Sequence, residues 1–281
     1  MSTLAPRCRR ARPLLGTLVD IEARGAAAQA AVAAGFEAVA RVHRLMTRHD
    51  ADSDIGRFNA APVGVLVRMD AGTLEVLDLA AELQSSSDGA FDCSRGFGEC
   101  EPCGACAWTR EGDAVRKNKP VQLDLGGIAK GYAVDCAIEA MCALAARHGS
   151  HDALSYALVN AGGDLRHAGA EPAQVALREP GSSADLAMTW ALDNAALASS
   201  VVGGLAPEPG QAPRIAGRAA DASLPPGAGA SVLAPRCMLA DALTKVVLVS
   251  RAPSHPLLAH YRARTLLYRD GTSACPRLPH V

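Results

Sequence analysis

The run Leu123-Asp124-Leu125-Gly126-Gly127-Ile128-Ala129-Lys130 joins an alternating apolar stretch, a pair of glycines and a helix start that carries one lysine. Backbone N–H groups at a helix N-terminus, opened by glycines, suit phosphate oxygens, and a lysine adds a point charge. A tight strand-to-helix turn with a surface lysine has the same local pattern, so the run alone leaves both readings open. Lysine is scarce in this chain: of 28 lysines and arginines, only Lys117, Lys119, Lys130 and Lys245 are lysines. Such a chain uses lysine where a compact ammonium is needed rather than a planar fork.

A second pattern is Ala240-Asp241-Ala242-Leu243-Thr244-Lys245. On a helix Asp241, Thr244 and Lys245 share a face. An ammonium one turn after a carboxylate pairs with it and repels a divalent cation. The alternative is a surface i,i+4 pair worth about 0.3 kcal/mol. A third pattern is Cys93, Cys100, Cys103 and Cys106, spaced C-x6-C-x2-C-x2-C. Closely spaced thiolates can share zinc or an iron–sulfur cluster, but the usual four-cysteine spacings are not matched. Incidental thiols in an insertion are the competing reading. Cys237 reads as a buried apolar side chain. The histidines are scattered, and none is assigned to catalysis.

These residues need elements to hold them. Pro13 to Ala23 reads as one strand, and Ala26 to Met46 as a helix with Val32, Phe36, Val39, Val42 and Leu45 at helical spacing. Ser53-Asp54 caps a short helix ending near Phe58-Asn59, and Asp70 caps the next, Leu74 to Gln84. Residues 92–120 read as an irregular, cysteine-rich insertion, and Val121 to Leu125 as a half-buried strand. A helix follows to His148. Strands are expected at Tyr156–Ala161, Gln174–Leu177, Leu186–Leu192 and Arg264–Tyr268, with a helix at Met238–Val249. A loop rich in proline, glycine and alanine fills about 206–230. Strands and helices mix without βαβ alternation, which predicts an α+β fold. The expected organisation is a single domain over 1–281, built as two closely associated lobes with mixed sheets and packed helices.

Composition narrows the class. Hydrophobic residues at 49% and charged residues at 20% suit a globular protein. A net charge of −1 offers no electrostatic footprint for nucleic acid. No apolar run approaches the roughly 20 residues of a transmembrane helix. The basic start lacks the uninterrupted apolar core of a secretory signal. With the odd count of nine cysteines, that points to the cytoplasm.

The segment from Leu123 to Asp135 closely resembles the D-L-G-G-I-A-K-G-Y-A-V-D signature of the ApbE family of flavin transferases. Further likenesses follow in order: Leu15-Gly16-Thr17, Ser53-Asp54-Ile55-Gly56-Arg57-Phe58-Asn59, Asp88-Gly89-Ala90-Phe91-Asp92, Asn160-Ala161-Gly162-Gly163-Asp164 and Ala240-Asp241-Ala242-Leu243. The resemblance implies an FAD:protein FMN transferase that attaches FMN through its phosphate to a threonine of a target protein and releases AMP. It implies FAD contacts from Asp124, Gly126, Gly127, Lys130, Gly162, Gly163, Asp164 and Ser199. It also implies Mg²⁺ held by the Gly127 turn, Asp241 and Thr244, with Lys130 and Asp241 as the catalytic residues.

The chain departs from the family in two places. The family's threonine four residues after the metal aspartate is Lys245 here, with Thr244 one position earlier. Either Thr244 takes over, or Lys245 replaces the metal charge and gives a metal-independent enzyme or a non-catalytic FAD binder. The second departure is the family's H-I-x-D-P-x-T-G element, reduced here to Arg214-Ile215-Ala216-Gly217 and Asp221 to Gly227, without the histidine. A thiol–metal or iron–sulfur protein built on the cysteine cluster is the alternative from another class.

Overall fold

The computed structural model describes residues 5–94, 107–148, 153–179, 186–203 and 224–270. The chain begins with strands β1 (Arg7–Leu14) and β2 (Thr17–Arg24), followed by helices α1 (Ala28–Met46) and α2 (Asp54–Ala60). Next come β3 (Leu66–Arg68), α3 (Ala71–Ser86), the hairpin β4 (Trp108–Glu111) and β5 (Ala114–Lys117), and α4 (Ala129–Arg147). Five strands follow: β6 (Tyr156–Ala161), β7 (Asp164–Gly169), β8 (Ala173–Arg178), β9 (Leu186–Leu192) and β10 (Ala196–Val201). The described chain closes with β11 (Gly229–Ala234), α5 (Cys237–Ser250), α6 (Pro256–His260) and β12 (Arg264–Arg269).

The main sheet is seven-stranded, in the order β1-β2-β6-β7-β10-β11-β12. Every pairing in it is antiparallel. Three helices lie across one face: α1 over β1 and β2, α4 over β6 and β7, and α5 over β10 and β11. The apolar side chains between them form the principal core, including Ile21, Phe36, Val39, Ile138, Met141, Leu243 and Val247. The same cluster takes in Val67 of β3 and Val115 of β5, so the small three-stranded sheet shares that core. On the other face sits the ribbon of β8 and β9, whose Val175, Leu177 and Leu192 cluster with Leu165, Leu197 and Leu267. The fold is α+β, as the mixed pattern predicts. No described helix is long and apolar enough to cross a membrane.

Several elements differ from the expected ones for definite reasons. The single strand expected over Pro13–Ala23 is a hairpin, because Leu15 and Gly16 both take positive φ (56° and 68°) and turn the chain back. Two residues at positive φ make the tight loop whose twist matches antiparallel strands. The expected irregular stretch 92–120 contains β4 and β5, which turn at Gly112-Asp113, with Trp108 and Val115 buried. Neither strand alternates in burial, and Lys117 at the end of β5 is itself buried, so no two-residue period marked them.

Val121, Leu123 and Leu125 are buried in alternation as expected, but their segment joins no sheet. The side chain of Asn59, at the end of α2, takes the place of a neighbouring strand. Its Oδ1 accepts from the Leu123 N–H at 2.7 Å, and its Nδ2 donates to the Leu123 carbonyl at 3.0 Å. The Asp124 N–H donates to the Cys93 carbonyl at 2.8 Å. The caps at Ser53 and Asp70 form as predicted: Ser53 accepts from Gly56 N–H at 2.8 Å and Asp70 from Gly72 N–H at 2.9 Å.

Leaving a buried backbone donor and acceptor unpaired costs about 1–3 kcal/mol. Asn59→Ala is therefore expected to lower the unfolding free energy by about 2 kcal/mol, read from the urea midpoint. An unchanged midpoint would show that the segment before the glycine turn is held by something else.

Candidate active site

Three backbone turns bring the candidate residues together. The first leads into α4: the Leu125 carbonyl accepts from Ile128 and Ala129 N–H at 3.0 and 2.8 Å, which starts the helix and sets Lys130 in its first turn. The second joins β6 to β7. Gly162 and Gly163 take φ of 67° and 102°, and the Asn160 side chain accepts from the Gly163 N–H at 2.9 Å. A Cβ on Gly162 would stand 2.4 Å from Thr17 Oγ1, so the turn rests directly on the start of β2. That contact makes neighbours of the 15–17 and 160–164 segments.

Leu165 faces the β8–β9 ribbon. Strand alternation therefore turns Asp164 and Arg166 toward the helices. The third turn opens α5. Its N-cap residue, Arg236, supplies no side-chain cap. The cap comes instead from Asp135 on α4, which accepts from Cys237 N–H at 2.8 Å and Met238 N–H at 2.9 Å. Arg166 Nη1 donates to the same carboxylate at 2.8 Å. The two helix starts approach so closely that a Cβ on Gly131 would lie 2.3 Å from the Cys237 carbonyl oxygen, and only glycine fits.

The result is a buried group of four charges. Asp164 and Asp241 have no exposed side-chain surface, whereas Lys130 and Lys245 retain 29% and 15%. Lys130 pairs with Asp164 Oδ2 and stands 4.0 Å from Asp241 Oδ2. Lys245 pairs with Asp241 Oδ1 and donates to the Asp241 carbonyl at 3.0 Å. The Gly131 N–H donates to Asp241 Oδ2 at 3.2 Å. Asp164 Oδ1 is buried and has no hydrogen-bond partner among the described residues.

The electrostatics follow from that arrangement. Burial and the neighbouring Asp241 push the Asp164 carboxyl up to about 6, against the pull of Lys130. Burial also works to raise Asp241, but Lys130, Lys245 and the Gly131 N–H outweigh it and hold that carboxyl below its ordinary range. Burial works to lower Lys130, and the two carboxylates overcome it and raise it. Cys237 is fully buried, and its thiol is pushed well up by burial and by the surrounding aspartates. That is the buried apolar side chain expected of it.

The other sequence candidates are placed less centrally. Asp124 sits at the turn, but its Oδ1 accepts from Gly126 N–H at 2.8 Å and its Oδ2 pairs with Arg48 at 3.2 Å. Ser199 is bonded to Ser231 at 2.8 Å on the ribbon side of β10, away from α5. Its neighbour Ser200 is the one that meets α5, with its Oγ 2.7 Å from Thr244 Oγ1. Asp135, Arg166 and Ser200 carry structural roles that went unassigned from the sequence. The readable signal for Asp135 was the absence of a capping residue before Cys237.

Lys117 is buried and donates to the carbonyls of Phe58 and Asn59, closing α2. Cys93 is buried and its thiol is pushed up by burial. Cys100, Cys103 and Cys106 lie outside the described residues, as do residues 214–217 and 221–223 of the reduced histidine element. A cavity of about 490 Å³ on the outer face of β2 and β6 is lined by Arg9, Asp20, Glu22 and Arg24. Those charges pair with one another or with Arg7, and the cavity is separate from Lys130.

The sequence profile of the ApbE family matches residues 15–97 and 103–205, more than half of the chain. The chain belongs to the ApbE family. Its fold is similar to the ApbE protein of Thermotoga maritima, with 21% identity, 97% of each chain covered and a TM-score of 0.76. It is also similar to the flavinyl transferase ApbE of Pseudomonas stutzeri in its apo form, at 19% identity, 96% of this chain, 93% of that one and a TM-score of 0.72. The flavin transferase ApbE of Vibrio cholerae is 18% identical, with 94% of each chain covered and a TM-score of 0.71. A search of curated proteins finds no match.

The Mg²⁺ implied for an ApbE site does not fit the donors as they stand. Asp241 Oδ1 is paired with the Lys245 ammonium and Oδ2 accepts from the Gly131 N–H, so a dication there would have to displace a like charge. Among the described residues no group of three His, Cys, Asp or Glu side chains is arranged to hold a metal ion.

A free aspartate titrates near ~3.9. With Asp164 raised in the folded protein, its contribution to stability is full below that value and falls as pH rises to about 6. Asp241, held low, contributes in the opposite sense, and its stabilisation is lost as pH falls below about 4. The unfolding free energy of wild type minus that of Asp164→Asn should therefore fall between about pH 4 and pH 6 and level off above. A pH-independent difference in urea titrations would contradict the placement of Asp164.

Proposed function

We propose that this protein takes FAD and transfers its FMN half to a hydroxyl, a threonine of a target protein, with release of AMP. The observation that carries the reading is the meeting of two glycine turns and two helix starts around Lys130, with one buried acceptor of Asp164 unpartnered. The Gly126-Gly127 turn beside an ammonium suits a diphosphate, and the unpartnered Asp164 oxygen suits a polar hydrogen of the flavin. Family membership and the likeness to proteins named flavin transferases support the same chemistry.

In the reaction the attacking hydroxyl oxygen forms a bond to the FMN phosphorus. The bond from that phosphorus to the bridging oxygen breaks, AMP leaves with the bridging oxygen, and the hydroxyl proton is released. In this reading Lys130 holds phosphate oxygens during the exchange. No side chain is assigned as the base.

The test is incubation of the full chain with FAD, chromatography for AMP, and in-gel flavin fluorescence of added cell protein. AMP release and a covalently fluorescent band are expected, with Lys130→Met slower by about 100-fold, the scale for losing one charge-stabilising group. Bound FAD without AMP would favour the non-catalytic binder, and absence of binding would remove the flavin reading altogether.

A further inference from the structure

We propose that Lys245 does the work of the divalent cation, so that its ammonium meets the diphosphate of FAD and the protein binds FAD without metal. The inference rests on the flavin reading above and concerns the same site. Its first support is position. The tip of Lys245 is on Asp241, by Oδ1 and by the main-chain carbonyl at 3.0 Å. Its stem lies against Gly127, where a built Cβ would stand 3.3 Å from Lys245 Cε. Those two residues, the α5 aspartate and the second glycine of the turn, are the ones the family resemblance gives to the ion. One side chain of this protein already spans both.

The second support is charge. Asp164 and Asp241 are matched by Lys130 and Lys245, so the group is formally neutral before any ligand arrives. A dication added beside Asp241 would face an ammonium already paired to that carboxylate, and like charges at such range repel strongly. To admit the ion, Lys245 would have to leave a site where its side chain is largely buried.

The third support is donor count. An ammonium has three N–H donors. Two of them are directed at Asp241, which leaves one for a phosphate oxygen. Thr244 Oγ1 is held by the Asp241 carbonyl and by Ser200, whereas the Lys245 ammonium is the group that reaches the Asp241 carboxylate.

The test is FAD affinity of the full chain, read from flavin fluorescence, in EDTA and in excess Mg²⁺. Wild-type Kd is expected to agree within about threefold between the two conditions, a difference small against the tenfold scale of a single lost charge contact. Lys245→Thr, which restores the family's residue, is expected to lose about tenfold or more in EDTA and to recover with Mg²⁺. Lys245→Arg keeps the charge and is expected to retain metal-free binding. Wild-type affinity that rises tenfold or more with Mg²⁺ would overturn the inference and leave the flavin reading intact. FAD bound by none of the proteins in either condition would overturn the flavin reading and the inference with it. If Lys245→Thr does not fold, the wild-type comparison decides alone.

Discussion

Three carboxylates with no exposed surface, Asp135, Asp164 and Asp241, lie at the centre of this protein, and the structure around them is arranged so that none is left without an opposite charge. Removing one partner from such a pair leaves a buried charge uncompensated, at a cost of about 3–5 kcal/mol. Asp164 comes from a strand, Asp241 and Lys245 from one helix, and Lys130 from another. The site therefore exists only when β7, α4 and α5 are docked together.

Docking is controlled a short distance away. Asp135 supplies the cap that α5 lacks in its own sequence and binds Arg166 of β7 through the same carboxylate, so one side chain ties three elements together. Gly131 allows the two helix starts to approach closely enough for its N–H to reach Asp241. The Gly162-Gly163 turn, seated on Thr17, fixes where β7 begins and hence where Asp164 points.

Much of this was legible in the sequence where local rules and tertiary packing agree. The helices that became α1, α4 and α5 announce themselves by apolar periodicity, and Ser53 and Asp70 cap as their types suggest. The candidate site was legible through Lys130, Asp164 and Asp241, which the fold brings together. What escaped reading depends on contacts distant in sequence. Alternation in Val121–Leu125 shows which side chains are buried, yet only the fold reveals that Asn59, not a strand, pairs with Leu123. Ser199 and Ser200 are equivalent in type, and the face of β10 that meets α5 selects Ser200. Leu15 at positive φ gave no sign of a turn, because leucine rarely adopts that conformation.

The central claim is that Asp164 and Asp241 are balanced by the chain's own lysines. A double-mutant cycle on Asp241→Asn and Lys245→Met, followed by urea unfolding in EDTA without flavin, measures that balance directly. A coupling above about 1 kcal/mol is predicted, as befits a buried, hydrogen-bonded pair. Additive effects within about 0.3 kcal/mol would mean that Asp241 does not depend on Lys245, and would contradict the account.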